Sequence, residues 1–94
     1  MLIQRKQTDS KGMFYVENEG EVEAEMTYHM TSPNKMVIEH TEVGEDLRGQ
    51  NVGYQLVTAA VEYARQHNIK ITVWCPFAKK VFDKKPDWSD VLDK

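Results

Sequence analysis

The sequence predicts a single α/β (α+β) domain: a mostly antiparallel sheet, with strands four and five parallel around one long helix. Two observations carry this expectation. Apolar residues recur with period two up to about residue 43, and with a helical period after Gly44. The chain has 94 residues, 40% of them hydrophobic, enough to fill one core and no more. A single domain over 1–94 with a radius of gyration of about 12 Å follows.

Each element has its own signal. Leu2 to Lys6 reads as a first strand, followed by the turn-prone Asp9-Ser10-Lys11-Gly12. Met13 to Glu17 is the second strand, and Asn18-Glu19-Gly20 is a hairpin turn. From Glu21 to Thr31 the even positions are Val22, Ala24, Met26, Tyr28 and Met30, while the odd positions are Glu, Thr or His. That alternation predicts an antiparallel strand with one wet face. Ser32-Pro33-Asn34 closes it, and Lys35 to Val43 is the fourth strand. Val52, Leu56, Ala60, Tyr63 and Ala64 then share one face of a helix, which Asn68 stops. Ile69 to Cys75 is a β-rich run, and Pro76 opens a helix to about Lys84. Pro86 ends that helix, and residues 87–92 form a last turn or short helix. Strand, helix and strand make a βαβ unit, so strands four and five should be parallel with a right-handed crossover.

Twelve basic against fifteen acidic residues give a net charge of −3, which argues against nucleic acid or an anionic membrane as partner. Cys75 is the only cysteine, so no intramolecular disulfide forms, and a reducing compartment fits. Met1 to Lys6 lacks the order of a signal peptide, and no window approaches the ~18 apolar residues of a membrane span. The expectation is a small soluble protein of the cytoplasm.

The most informative stretch runs from Gly44 to Gly53. Gly44 and Gly49 have Walker A spacing, but Gln50-Asn51 stands where Lys-Ser/Thr must be, and no Gly-x-Gly-x-x-Gly occurs. What remains is a small-residue loop opening into a helix, whose first amides lack intrahelical acceptors and whose dipole adds positive charge. Gly49 and Gly53 let an anion approach the backbone and Arg48 adds a charge, which outlines a pyrophosphate site. The plainer alternative is that Asn51 only caps its own helix.

Arg48-Gly49-Gln50-Asn51-Val52-Gly53 resembles the acetyl-CoA loop of the GNAT acetyltransferase superfamily, Gln/Arg-x-x-Gly-x-Gly/Ala. Arg48 matches the first position and Gly53 the last. Asn51 replaces a glycine, and Asn tolerates positive φ better than most residues. His40-Thr41-Glu42-Val43, Cys75-Pro76-Phe77-Ala78-Lys79-Lys80 and Pro86-Asp87-Trp88-Ser89-Asp90-Val91 extend the likeness to a short subfamily of such proteins. The resemblance implies an acetyl-CoA-dependent acyltransferase acting on an amine. It also implies that the amides from Gly49 through Gln50, Asn51, Val52 and Gly53 to Tyr54 hold the CoA pyrophosphate. The backbone of Thr41, Glu42 and Val43 would pair with the pantetheine arm. The helix pair that shapes the acceptor pocket in full-size relatives is missing, because Gln7 to Lys11 is too short for it. A CoA-binding sensor or interaction module without turnover is the alternative.

Cys75 precedes the helix at Pro76, where free amides, Lys79 and Lys80 favour a thiolate; otherwise it is an inert buried thiol. With the GNAT likeness, Cys75 lies near the thioester and is a candidate acyl acceptor or base. His40, on strand four, is a candidate general base or activator of Cys75, or else a histidine hydrogen-bonded within the sheet. Phe77, Phe82 and Trp88 read as core or flap residues of the C-terminal helix, with Phe77 also a candidate pantetheine contact. His29 should be exposed, and His67 answers to the helix dipole. Glu17, Glu19, Glu21, Glu23 and Glu25 form an acidic band, mostly a solvated face, with attraction of a cationic acceptor as the sharper reading. No ligand spacing supports a metal site.

Overall fold

The computed structural model describes residues 2–93. Met1 and Lys94, the two ends of the expected domain, lie outside the described residues. The order is β1 (Gln4–Thr8), β2 (Lys11–Asn18), β3 (Glu21–Ser32), β4 (Lys35–Val43), α1 (Val52–His67), β5 (Lys70–Val73) and α2 (Pro76–Asp83). A 3₁₀ turn, Glu45–Leu47, precedes α1, and a 3₁₀ segment, Pro86–Val91, follows α2. The five strands form one sheet in sequence order, antiparallel except for β4 and β5. The radius of gyration is 12.6 Å.

The helices pack on the sheet face that carries Phe14, Val16, Ala24, Met26, Tyr28, Met36 and Ile38. Val52, Leu56, Val57, Ala60, Val61 and Ala64 of α1 cover these residues, and Ala78, Val81, Phe82, Trp88 and Val91 complete the core. Phe82 and Trp88 are thus buried, as their place in the sequence suggests. The Glu19-Gly20 turn has positive φ at both residues, and Asn68 ends α1 in the left-handed region.

The limits of β1, β2 and β5 differ from expectation. β1 starts later than Leu2 and reaches Thr8, leaving only Asp9-Ser10 in the turn, because its polar residues have partners on the inner face. Arg5 donates to the Tyr28 hydroxyl (2.9 Å) and lies 4.3 Å over Tyr63, while the Tyr28 hydroxyl donates to Gln7 (2.8 Å). Gly12 belongs to β2, paired with Gln7 and Tyr28, and a Cβ there would come within 2.6 Å of the Tyr28 ring. β5 is shorter than Ile69 to Cys75. Ile69 N–H closes the end of α1 on Ala64 O (2.8 Å), and Cys75 is already the N-cap of α2. Val22, an expected core residue, is exposed, since it lies past the register shift between Val16 and Glu17.

Arg65 ties the C-terminal segment to α1 through Asp90 (2.8 and 3.1 Å) and the Asp87 carbonyl (2.9 Å). Lys70 donates to Asp90 O, and Asp93 N–H to Ile71 O. The segment therefore packs against both α1 and α2.

Candidate functional site

Four backbone bonds fold the loop, one of them from Arg48 N–H to Glu45 O (3.2 Å). Gly44 N–H donates to Glu23 O (2.7 Å), Leu47 N–H to Gly44 O (3.0 Å), and Gln50 N–H to Leu47 O (3.3 Å). Gly49 takes φ 85° and Asn51 φ 58°, ψ 30°. The Asn51 side chain makes no capping bond, so the capping alternative does not hold; Asn51 is there for its left-handed backbone. The first helical bond of α1 runs from Gln55 N–H to Asn51 O (3.0 Å). The amides of Val52, Gly53 and Tyr54 lie ahead of it, without i→i−4 acceptors. The first turn of α1 carries no acidic residue to offset the helix dipole. The Gln50 side chain donates to Asp46 O (3.2 Å) and the Gln50 backbone carbonyl accepts from the Gln55 side chain (3.2 Å), so Gln50 holds the loop.

A cavity of about 530 Å³ lies between this loop and α2. Gly49, Asn51, Val52, Gly53 and Tyr54 line one side; Val43, Leu47, Phe77 and Val81 form apolar wall. Arg48, Lys84 and Lys85 supply three cations, and no carboxylate lines the cavity. Sequence reasoning did not single out Lys84 and Lys85. The signal is there, because Phe77, Val81 and Lys84 fall at i, i+4 and i+7 along α2. Lys79 and Lys80, which it did weigh, do not line the cavity. The Phe77 ring fills the space that a side chain at Gly53 would need, so Gly53 serves helix packing as well as anion approach. Lys85 Nζ lies 5.6 Å from the centroids of both Tyr54 and Trp88, and the neighbouring Tyr54 hydroxyl raises its pKa above the ordinary 10.5.

The β4–β5 ladder ends at Ile38 and Val73, with Trp74 N–H donating to Ile38 O (2.9 Å). From Glu39 to Val43 β4 continues without β5, leaving a free backbone edge toward the cavity. At this point β4 carries a bulge: Ile38 faces Tyr28 and His40 faces Thr27, with Glu39 extra. Thr41 and Val43 face the helices, opposite Met26 and Ala24, whereas His40 and Glu42 face outward.

That alternation corrects the expected Cys–His pair. Cys75 Sγ donates to Thr41 Oγ1 (3.4 Å) across the gap, and Cys75 is only 5% exposed. His40, on the other side of the strand, is bonded through Nε2 to Glu42 Oε1 (2.9 Å). No hydrogen bond joins His40 to Cys75 among the described residues. Nor does the Cys75 side chain bond the free amides of α2. His29 is not simply exposed: it pairs with Glu39 (2.8 Å) and meets Trp74 edge-on at 5.4 Å. Trp74 is 63% exposed on that outer face. His67 packs on Tyr63 (4.3 Å). No group of three or more potential metal ligands occurs among the described residues, and no helix there is long and apolar enough to cross a membrane.

A family model described as GCN5-related N-acetyl-transferase matches residues 13–91. A GCN5-like protein of Staphylococcus aureus, solved by NMR, is 40% identical with a TM-score of 0.72, over 96% of this chain and 87% of that one. The fold is also that of a ribosomal-protein-alanine N-acetyltransferase from Brucella melitensis biovar Abortus (TM-score 0.67, 14% identity, 83% of this chain and 62% of that one). It is likewise that of a GNAT acetyltransferase from Elizabethkingia anophelis with acetyl-CoA bound (TM-score 0.61, 15% identity, 82% and 53%). A search of curated proteins gives no match. The family's general reaction is acetyl transfer from acetyl-CoA. With most of its length inside the family model and a fold shared across these structures, the chain belongs to the GCN5-related N-acetyltransferase family.

Proposed function

We propose that this chain binds acetyl-CoA in the cavity beside α1 and transfers the acetyl group to an amine. The observation that carries this reading is one cavity joining three elements. It has free helix amides at Val52 to Tyr54, cations with no carboxylate among them, and an apolar wall leading to an unpaired strand edge. These suit, in turn, a diphosphate, further anionic charge, and an extended arm with amide groups. Arg48, Gly49, Asn51, Val52, Gly53 and Tyr54 take the diphosphate; Thr41, Glu42 and Val43 offer backbone bonds; Phe77 and Val81 pack on the arm.

The reacting end then falls in the gap where β4 and β5 part, with Cys75 and Thr41 on its helix side and His40 on its outer side. Acetyl-CoA supplies an activated thioester. The amine nitrogen attacks its carbonyl carbon, the carbon–sulfur bond breaks, and the thiol of CoA leaves. His40, held by Glu42 on the outer face, takes the amine proton. The acceptor comes from that open face, past Trp74. The lone reduced thiol and the absence of a basic surface excess suit a cytoplasmic enzyme acting on neither nucleic acid nor membrane.

A second reading, a CoA-binding module without turnover, is favoured by one observation: no helix pair encloses the outer face beside His40 among the described residues. Titration calorimetry with acetyl-CoA and CoA, followed by release of free CoA across a panel of amines, separates the two. Binding with amine-dependent release is expected. Binding without release from any amine supports the module, and no heat at millimolar ligand overturns both.

A further inference from the structure

Of the groups lining the cavity, the diphosphate reading leaves two without a task. Lys84 and Lys85 stand at the end of α2, across the cavity from the loop that carries Arg48 and the free amides. Neither lysine, nor Arg48, has a carboxylate within 4.0 Å among the described residues. In a chain with fifteen acidic and twelve basic side chains, three cations converge on one cavity whose lining holds no carboxylate, with Asp87 acting on Lys85 from outside it; this is a local positive excess suited to an anionic ligand.

The lysines also sit on fixed backbone. Lys84 N–H donates to Val81 O (3.1 Å) and Lys85 N–H to Phe82 O (3.0 Å), and Pro86 follows at once. Lys85 Nζ also lies beside the stacked pair of Tyr54 and Trp88, 5.6 Å from each ring centroid. A cation on a closed turn loses less freedom on meeting an anion than one on a loose loop.

Coenzyme A carries a third phosphate beyond its diphosphate, on the 3′ position of the ribose. The helix amides and Arg48 already answer the diphosphate from the loop side. We propose that Lys84 and Lys85 form a subsite for that 3′-phosphate, so that the chain selects CoA over dephospho-CoA. The inference rests on the acetyl-CoA reading and adds to it the residues that recognise the nucleotide end.

The test is calorimetry with CoA and dephospho-CoA on wild type, on the Lys84→Gln/Lys85→Gln double variant, and on Lys80→Gln. Lys80 is on the same helix and does not line the cavity. Thermal melting checks that each variant is folded. Wild type should bind CoA about tenfold or more tighter than dephospho-CoA, as expected for charge-assisted bonds to one phosphate. In the double variant the two ligands should bind alike, near the wild-type affinity for dephospho-CoA, and Lys80→Gln should keep the preference. Equal wild-type affinities overturn the proposal, as does an equal loss for both ligands in the double variant, which would put the lysines on the diphosphate. If neither ligand binds wild type, the acetyl-CoA reading itself is wrong.

Discussion

Gly53 and Phe77 occupy one space: a Cβ on residue 53 would lie 2.6 Å from Phe77 Cζ. The glycine in the first turn of α1 thus admits the ring that forms part of the cavity wall, and it couples the anion end of the site to α2. Gly53→Ala should push the ring into the cavity and weaken acetyl-CoA binding about tenfold, measured by calorimetry. Stability should fall by up to about 2 kcal/mol, because a helix gain of up to about 1 kcal/mol offsets only part of an overpacking cost of about 1–3 kcal/mol. In a double-mutant cycle, adding Phe77→Leu should restore most of the affinity.

Asn51 tests the loop from the other side. Its left-handed backbone, φ 58°, suits Asn and Gly but strains a residue with an ordinary Cβ. Asn51→Ala should cost about 1–2 kcal/mol in urea denaturation. Asn51→Gly should be near neutral and keep acetyl-CoA affinity, since the side chain makes no capping bond. An Asn51→Ala variant as stable as wild type would mean that the loop rearranges freely.

The balance between these two residues shows what a sequence discloses. Strand β4, helix α1 and the parallel β4–β5 pair were legible because periodicity is set by which face is buried, a property that short segments carry by themselves. The loop was legible because left-handed backbone leaves a residue signature at Gly49 and Asn51. The side of the strand was harder to read. The bulge at Glu39 inserts one residue, and only pairing with β3 shows that Thr41 turns to Cys75 while His40 turns away. Lys84 and Lys85 were overlooked for a related reason. Charged residues at a helix end have ordinary solvated roles, and only the opposite wall of the cavity, contributed from thirty residues earlier, gives them another.

Arg65 and Asp90 give the fold a dependence on acid. The guanidinium holds the Asp90 carboxyl below its ordinary value of 3.8. The folded chain therefore binds this proton less readily than the unfolded one. The contribution is complete above pH 3.8 and is lost as pH falls through the lower folded value. Urea midpoints of Asp90→Asn should fall below wild type by a constant margin from pH 5 to 8, and the margin should close below pH 3.8. A margin that persists at the lowest pH at which both chains fold would assign the effect to packing of the 3₁₀ segment.

The separation of His40 from Cys75 bears on the route of transfer. Cys75 Sγ is buried and donates to Thr41, while His40 is exposed on the face that an amine can reach. Direct attack on the thioester, with His40 taking the proton, requires acetyl-CoA and amine to be bound together, so initial velocities should follow a sequential pattern. His40→Ala should lower kcat about 100-fold, the size of a lost general base. Cys75→Ala should leave kcat within a few-fold and cost about 1 kcal/mol in stability, as for a small buried group. Transfer through an acetyl-cysteine predicts the opposite set. Its signs are parallel double-reciprocal lines, a mass gain of one acetyl group with acetyl-CoA alone, and loss of both in Cys75→Ala. Intact mass spectrometry on wild type and Cys75→Ala decides between them, since the covalent adduct has only one cysteine on which to form.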